Sequence, residues 1–293
     1  MAVIATGFFD GVHPGHRLVI DTLLSEARAR GEQSVVVTFW PHPRAVLQSD
    51  ADSLRYLTSQ QEKMALLRGM GVDRVETVPF TRHFAALSAG EYLDMLRTRF
   101  GCTALVLGYD TRFGYEQAGP EQIAELAARK GLGAIITEPV CIGHEPVSSS
   151  RIRAALEAGD VASAARLLGR PYRLHGVVVS GNRLGRTIGF PTANMKLYEP
   201  LMLVPKNGVY KTAVVPGLAG NLLKGMTNIG IRPTVSDQKV LTIETYILDF
   251  NEMIYGLDIT VEFMVRIRDE RKFASLEELK QQLQADATLI RSL

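Results

Sequence analysis

Short apolar runs alternate with amphipathic segments through the first half of the chain. Residues 2–5, 34–39, 74–78, 104–107 and 134–137 have the length and composition of buried strands. Between them, 17–30, 60–70, 89–100 and 120–130 carry helical spacing. Gly31, Gly71, Gly101 and Gly131 follow these segments directly, each as a left-handed stop. Strands alternating with helices of this length predict βαβ units and a parallel, doubly wound sheet. Such sheets bind ligands at the carboxyl ends of their strands.

From about Tyr172 the pattern changes. Residues 177–179, 208–215, 222–229, 241–250 and 257–267 are strand-like, rich in β-branched residues and separated by Gly, Pro and Asn turns. No helical pattern intervenes until 275–290, where Ser275 with Glu278 forms a capping box before an amphipathic run. A small antiparallel barrel closed by a C-terminal helix is the expected result. Short helices near 151–158 and 161–168 bridge the halves. The boundary is expected near 169–172, with domains over 1–170 and 171–293.

Length and composition narrow the function classes. A chain of 293 residues accommodates two domains, each with its own core. A formal net charge of +2 gives no electrostatic case for nucleic acid as the main partner, although local basic clefts for phosphates remain open. Cys102 and Cys141 both lie in apolar surroundings without CxxC spacing, so two buried, reduced thiols are expected rather than a disulfide or a zinc site. No run approaches ~18 apolar residues, which excludes a membrane-spanning helix. The N-terminus shows no basic-then-apolar leader, so a cytoplasmic location is expected. Nothing in the pattern speaks to oligomeric state.

The segment Thr6-Gly7-Phe8-Phe9-Asp10-Gly11-Val12-His13-Pro14-Gly15-His16 follows the first strand and opens the first helix. Gly7 and Gly11 permit a tight turn, and Gly15 lets backbone approach a ligand. His13 and His16, three apart at a helix start, can face one anion beside the positive end of the helix dipole. That suits a nucleoside triphosphate, whose departing pyrophosphate gathers charge. A glycine-rich turn with incidental histidines is the alternative. Ser148-Ser149-Ser150-Arg151-Ile152-Arg153 opens a later helix, either as a second anion-binding edge or as a cap flanked by surface arginines.

Two further segments stand out in the second half. Gly181-Asn182-Arg183-Leu184-Gly185-Arg186-Thr187-Ile188-Gly189-Phe190-Pro191-Thr192-Ala193-Asn194 is a glycine-rich loop with two arginines. It lacks GxxxxGK[ST] and is not a P-loop, yet its amides can form a phosphate nest. Thr192 and Asn194 offer neutral oxygens on one face of extended chain, a set that suits Mg²⁺ shared with substrate phosphates. A long hairpin loop with an Asn turn is the plainer reading. In Ile243-Glu244-Thr245-Tyr246-Ile247-Leu248-Asp249-Phe250, alternation sets Glu244, Tyr246 and Leu248 opposite Ile243, Ile247 and Asp249. A lone Glu so placed is ordinarily solvated. Residues 226–234 form a turn of unusual polar density.

These motifs carry two family resemblances. The HxGH loop with the later Ser-Ser-Ser-x-Ile-Arg resembles the HxGH nucleotidylyltransferase superfamily. The fuller Gly-x-Phe-Asp-Gly-Val-His-x-Gly-His form resembles its FMN adenylyltransferase branch, the N-terminal module of bacterial FAD synthetases. Thr38-Phe39-Trp40-Pro41-His42-Pro43-Arg44 and Gly108-Tyr109-Asp110-Thr111-Arg112-Phe113-Gly114 match two more family segments. The resemblance implies a Rossmann-like fold, and ATP bound by Gly7, Phe9, Asp10, Gly11, His13, His16, Ser149, Arg151 and Arg153. It further implies flavin or adenine contacts from Asp110, Arg112 and Phe113, in a loop with Thr111 where the family usually has Phe.

Residues 172–293 resemble riboflavin kinase through Gly-Arg-x-x-Gly-Phe-Pro-Thr-Ala-Asn, Asn-x-Gly-x-Arg-Pro-Thr, Glu-Thr-Tyr-x-Leu-Asp-Phe and the 268–273 stretch. This resemblance implies ATP bound by Gly181, Arg183, Gly185, Gly189, Pro191, Thr192 and Asn194. It also implies Mg²⁺ held with ATP by Thr192 and Asn194, and Glu244 as base for the ribityl 5′-hydroxyl. Tyr246 replaces a common family His. Together the resemblances imply two uses of ATP: riboflavin to FMN, then FMN to FAD with release of pyrophosphate. A different nucleotidyltransferase, acting on pantetheine phosphate or a phospho-alcohol, is one alternative. A chain with one active half and one flavin-docking half is the other.

Overall fold

The computed structural model describes residues 1–47, 54–181, 184–217, 221–233 and 239–293. The chain divides into two compact units, Met1–Ser149 and Ser150–Leu293. In the first, β1 (Ala2–Thr6), β2 (Gln33–Trp40), β3 (Arg74–Pro79), β4 (Cys102–Gly108) and β5 (Gly133–Thr137) form a parallel sheet in the order β3-β2-β1-β4-β5. Its helices are α1 (Pro14–Arg30), α2 (Pro43–Leu47), α3 (Gln60–Gly69), α4 (Arg82–Ala85), α5 (Ala89–Phe100) and α6 (Pro120–Arg129).

Both faces of this sheet are covered, which is why its central strands are continuous apolar runs. On one face Ile4, Val37 and Leu105 pack with Leu93 and Leu96 of α5. On the other, Val3, Val36 and Val106 pack with Ile20 and Leu23 of α1. The chain starts at the sheet centre, builds outward to β3, then returns to β4 on the opposite side. The connections after β1 and β4 therefore part at a switch point, where a crevice opens at the carboxyl ends. Gly31, Gly71, Gly101 and Gly131 all adopt positive φ after their helices, as expected.

A two-strand hairpin, β6 (Cys141–Ile142) with β7 (Glu145–Pro146), was not legible in the pattern, nor were α2 and α4; each is too short to show a period. The hairpin corrects the expectation of two buried thiols, because Cys141 is exposed on it. Cys102 is buried on β4, and burial pushes its thiol up to about 12.

After α7 (Ser149–Ala158) and α8 (Val161–Leu168), the second unit runs β8 (Tyr172–Val179), α9 (Leu184–Thr187), β9 (Thr192–Leu197), β10 (Gly208–Pro216), β11 (Leu223–Pro233), β12 (Lys239–Ile247), β13 (Asp258–Arg268) and α10 (Leu276–Ser292). The six strands close into an antiparallel barrel, β10-β11-β12-β9-β8-β13, and α8 packs on β8 and β13. Closure leaves no unpaired edge. Inside the barrel, Thr227 bonds to both Thr212 and Thr245 at 2.9 Å. On its outer wall, Phe190, Val209, Met226 and Leu248 pack with Ala287 and Ile290 of α10.

Three local expectations change. Residues 226–233 belong to strand β11 rather than to a turn, and Thr234 lies outside the described residues. Residues 192–197 form a full strand, β9. At α10, Ser275 accepts from Glu278 N at 3.2 Å, but the Glu278 carboxylate reaches Ala274 N at 3.0 Å, one residue short of a reciprocal capping box.

Candidate active sites

The histidine loop leaves β1 through strained backbone. Phe9 and Val12 have φ of 55° and 42° and are buried. A β-branched residue in the left-handed region persists only where its surroundings enforce it, and such residues cluster at functional sites. The enforcement here is hydrogen bonding. The buried Asp10 carboxylate accepts from Leu57 N at 3.0 and 3.1 Å, Thr58 N at 3.1 Å and Thr58 Oγ1 at 3.2 Å. Gly11 N donates to Thr58 Oγ1 at 3.1 Å, and Ser149 Oγ donates to the Asp10 carbonyl at 3.0 Å.

His13 caps α1, its Nδ1 accepting from His16 N at 3.4 Å, and the two rings stack with centroids 3.7 Å apart. A Cβ on Gly15 would lie 3.2 Å from the His13 ring. Gly15 thus makes room for the histidine pair, beyond the close ligand approach expected of it. His16 Nδ1 is enclosed without a hydrogen-bond partner. Burial first, then the charges of His13 and Lys63, hold its imidazole well below the usual 6.5. Near neutral pH this ring meets an anion as a neutral donor.

Two cavities share this crevice. One, of about 230 Å³, is lined by His13, His16, Phe9 and Asp110 among others. The second, about 380 Å³, is walled by Phe80, Phe84, Tyr92 and Arg44. Gly7, Phe8, Phe39, Arg112 and Phe113 line both. Asp10, Gly11 and Ser149 do not line either; they hold the loop from behind. Arg151 and Arg153 lie half-buried on α7 in the second unit.

The barrel carries a second pair of cavities. One, about 270 Å³, is lined by Arg186, Pro191, Asn251, Glu252 and Tyr255. The other, about 280 Å³, opens between the barrel wall and α10, lined by Asn194, Asn228, Glu244, Arg268 and Phe273. Thr192 lines both. Register explains the polar cluster. Glu244 pairs directly with Asn194 of β9 on one side and Asn228 of β11 on the other, so three polar side chains stand abreast.

The glycine-rich loop is packed against this row. A Cβ on Gly181 would come within 2.5 Å of Asn194 Nδ2, and one on Gly185 within 2.2 Å of the Phe190 carbonyl oxygen. Gly189 turns the chain at φ +86°. Arg183 lies outside the described residues. Across the cavity, Arg268 donates to Asp286 Oδ2 from Nε at 2.9 Å and Nη2 at 2.7 Å, while Gln282 Nε2 donates to Oδ1 at 2.7 Å. Among the described residues no three His, Cys, Asp or Glu side chains gather as a metal cluster. The available donors are Thr192 and Asn194 with the adjacent Glu244, a hard-oxygen set that fits Mg²⁺.

Sequence reasoning did not single out Phe80, Phe84, Lys63, Asn228 or Arg268 as site residues. Four of them line cavities, and Lys63 lies directly behind Phe8.

Known proteins resemble the chain along its whole length. The FAD synthetase family matches residues 1–151, and the riboflavin kinase family matches 168–293. The bifunctional riboflavin kinase/FMN adenylyltransferase of Bacillus subtilis is 37% identical over 287 residues, covering 97% of this chain and 90% of that protein. Its counterpart in Escherichia coli is 40% identical over 286 residues with the same coverage. A crystal structure of a protein described as a macrolide-efflux protein from Streptococcus pneumoniae has a TM-score of 0.92 at 32% identity, covering 100% of this chain and 94% of that one. Among the described residues here, no helix is long and apolar enough to cross a membrane.

Proposed function

The chain belongs to the bifunctional riboflavin kinase/FMN adenylyltransferase family, and from that premise we propose that it converts riboflavin to FMN over residues 171–293 and FMN to FAD over residues 1–170, using ATP in each step. The carrying observation is the same in both units: a more polar cavity abuts a more apolar one across a shared wall, formed by five residues in the first unit and by Thr192 in the barrel. That is the geometry of a two-substrate transfer, in which a nucleotide and an aromatic acceptor meet at one seam.

In the first unit, ATP phosphates occupy the histidine cavity and the flavin ring the aromatic one beside Phe39, Phe80 and Phe84. An FMN phosphate oxygen attacks the α-phosphorus of ATP, and pyrophosphate leaves. No side-chain nucleophile is required. His13 and His16 donate hydrogen bonds as charge builds on the departing pyrophosphate. Arg112, on both cavity walls, suits the FMN phosphate at the seam.

In the barrel, ATP occupies the cavity beside Pro191 and Asn251, and riboflavin the one under α10. The ribityl 5′-hydroxyl attacks the γ-phosphorus of ATP, Glu244 accepts its proton, and ADP leaves as the bond to the β,γ-bridging oxygen breaks. A carboxylate suffices for this when the transition state is loose and the proton leaves late. Thr192 and Asn194 are the residues that would hold Mg²⁺, which neutralises phosphate charge when bound. Such an enzyme works on soluble metabolites, and a cytoplasmic location follows from that reading.

The test is incubation of purified protein with riboflavin, ATP and Mg²⁺, followed by separation of the flavins. Wild type yields FMN and FAD. His13→Ala with His16→Ala accumulates FMN without FAD. Glu244→Gln loses FMN formation yet still converts supplied FMN. FAD at wild-type rates from the double histidine variant, or equal loss of both steps in Glu244→Gln, overturns the assignment.

A further inference from the structure

Lys63 is the most buried charge of the first unit that neither motif explains. It lies on α3 at 1% exposure, with its Nζ 3.8 Å above the Phe8 ring centroid and 3.5 Å from the Phe39 carbonyl oxygen. Among the described residues no carboxylate is hydrogen-bonded to it, although the Asp10 carboxylate lies close enough to act on its charge. The two residues it touches are both shared by the histidine and aromatic cavities. It therefore stands directly behind the seam where the acceptor phosphate must meet the nucleotide.

We infer that Lys63 is a positioning residue for adenylyl transfer, fixing Phe8 and Phe39 at the seam and placing a buried positive charge directly behind it. This rests on the adenylyl-transfer reading of the first unit. A π face and one long hydrogen bond are poor replacements for the water a lysine loses on burial. The Asp10 carboxylate offsets that cost only in part, and an anion arriving at the seam adds to the compensation. The charged and titratable groups around it are Asp10 from the turn after β1, His13 and His16 at the start of α1, His42 edge-on to Phe8, and Glu62 on its own helix. Burial brings the ammonium down to about 8, and its charge helps to keep His16 neutral.

These couplings give a signature that a purely structural lysine lacks. The test compares wild type, Lys63→Met and Lys63→Arg in FMN-to-FAD conversion across pH, with riboflavin phosphorylation by the same preparations as the internal control. Lys63→Met lowers kcat at least about tenfold at pH 7, less than the ~10²–10³ lost with a directly contacting donor. Its acid limb moves to higher pH, because His16 then protonates more readily. Wild type loses rate as pH rises through about 8, where the lysine gives up its proton. Lys63→Arg keeps its charge there and loses that limb. Wild-type kcat in Lys63→Met overturns the inference, as does an alkaline limb that stays in place in Lys63→Arg. If Lys63→Met fails to fold, the Lys63→Arg profile alone decides. A wild type that makes no FAD at all refutes the underlying function instead.

Discussion

The Lys63→Met substitution should make the first unit more stable while making it a poorer enzyme. Burial draws the lysine from 10.5 down to about 8, with the Asp10 carboxylate opposing that shift. In the unfolded chain the side chain titrates near its ordinary value. Between about 8 and 10.5 the unfolded chain holds a proton that the folded one has released, so stability rises with pH across this window. Below pH 8 the charged lysine is a standing penalty. At ~1.4 kcal/mol for each pH unit, the penalty is about 3.5 kcal/mol. Methionine keeps the stem's volume and removes the charge. It also forfeits the ammonium–Phe8 attraction, ~2 kcal/mol at a desolvated site. The net expectation is a gain of about 1–2 kcal/mol at pH 7, shrinking toward zero by pH 10.5.

Trp40, the chain's one tryptophan, lies 5.3 Å from Tyr56 in the first unit, so denaturant unfolding followed by its fluorescence reports this unit. Wild type and Lys63→Met are compared at pH 7 and pH 10. A variant that is less stable at pH 7, or a difference that does not change with pH, refutes the reasoning. In the first case the ammonium is a net structural tie; in the second its charge is not what the fold is bearing.

Two predictions concern the barrel. Asp286→Ala leaves Arg268 largely enclosed without its counter-charge, which costs about 3 kcal/mol; kinase activity should be lost at a lower temperature and KM for riboflavin should rise, while FAD formation from supplied FMN stays unchanged. Thr227→Val preserves shape but removes the shared partner of Thr212 and Thr245, two hydroxyls buried in the barrel. Each orphaned group costs ~1–3 kcal/mol, so far-UV unfolding of the second unit should shift markedly; an unshifted curve would mean the ladder contributes nothing.

The elements and the candidate reacting groups are legible because both are local. An apolar run such as Ala2-Val3-Ile4-Ala5 is a central strand whatever surrounds it, and His13 with His16 is bound to a helix start by its spacing. The second wall of each site was not local. Phe39 is the penultimate residue of β2, Phe80 and Phe84 flank the start of α4, Tyr92 lies on α5 and Phe113 follows β4, yet all five line one cavity. In sequence each is an ordinary core aromatic. Only the strand order, with its switch point beside β1, brings them together. The same holds for Asn228, which acquires meaning when β11 pairs it with Glu244.

One class of missed residue nevertheless left a readable trace. Lys63 stands one helical turn before Leu67, and these are the two buried residues of α3. Asp286 stands one turn before Ile290, and with Ala287 they are the buried residues of α10. Each charge therefore occupies a core-facing position of an amphipathic helix, where an apolar side chain would satisfy the period better. Burying a charge there is unfavourable unless something across the helix uses it. For Asp286 the user is Arg268 on the wall of the kinase cavity. For Lys63 it is the seam between the two adenylyl-transfer cavities. A charge that interrupts the buried stripe of a helix is thus evidence about the neighbouring site rather than about the helix, and it points to positioning residues that no catalytic motif contains.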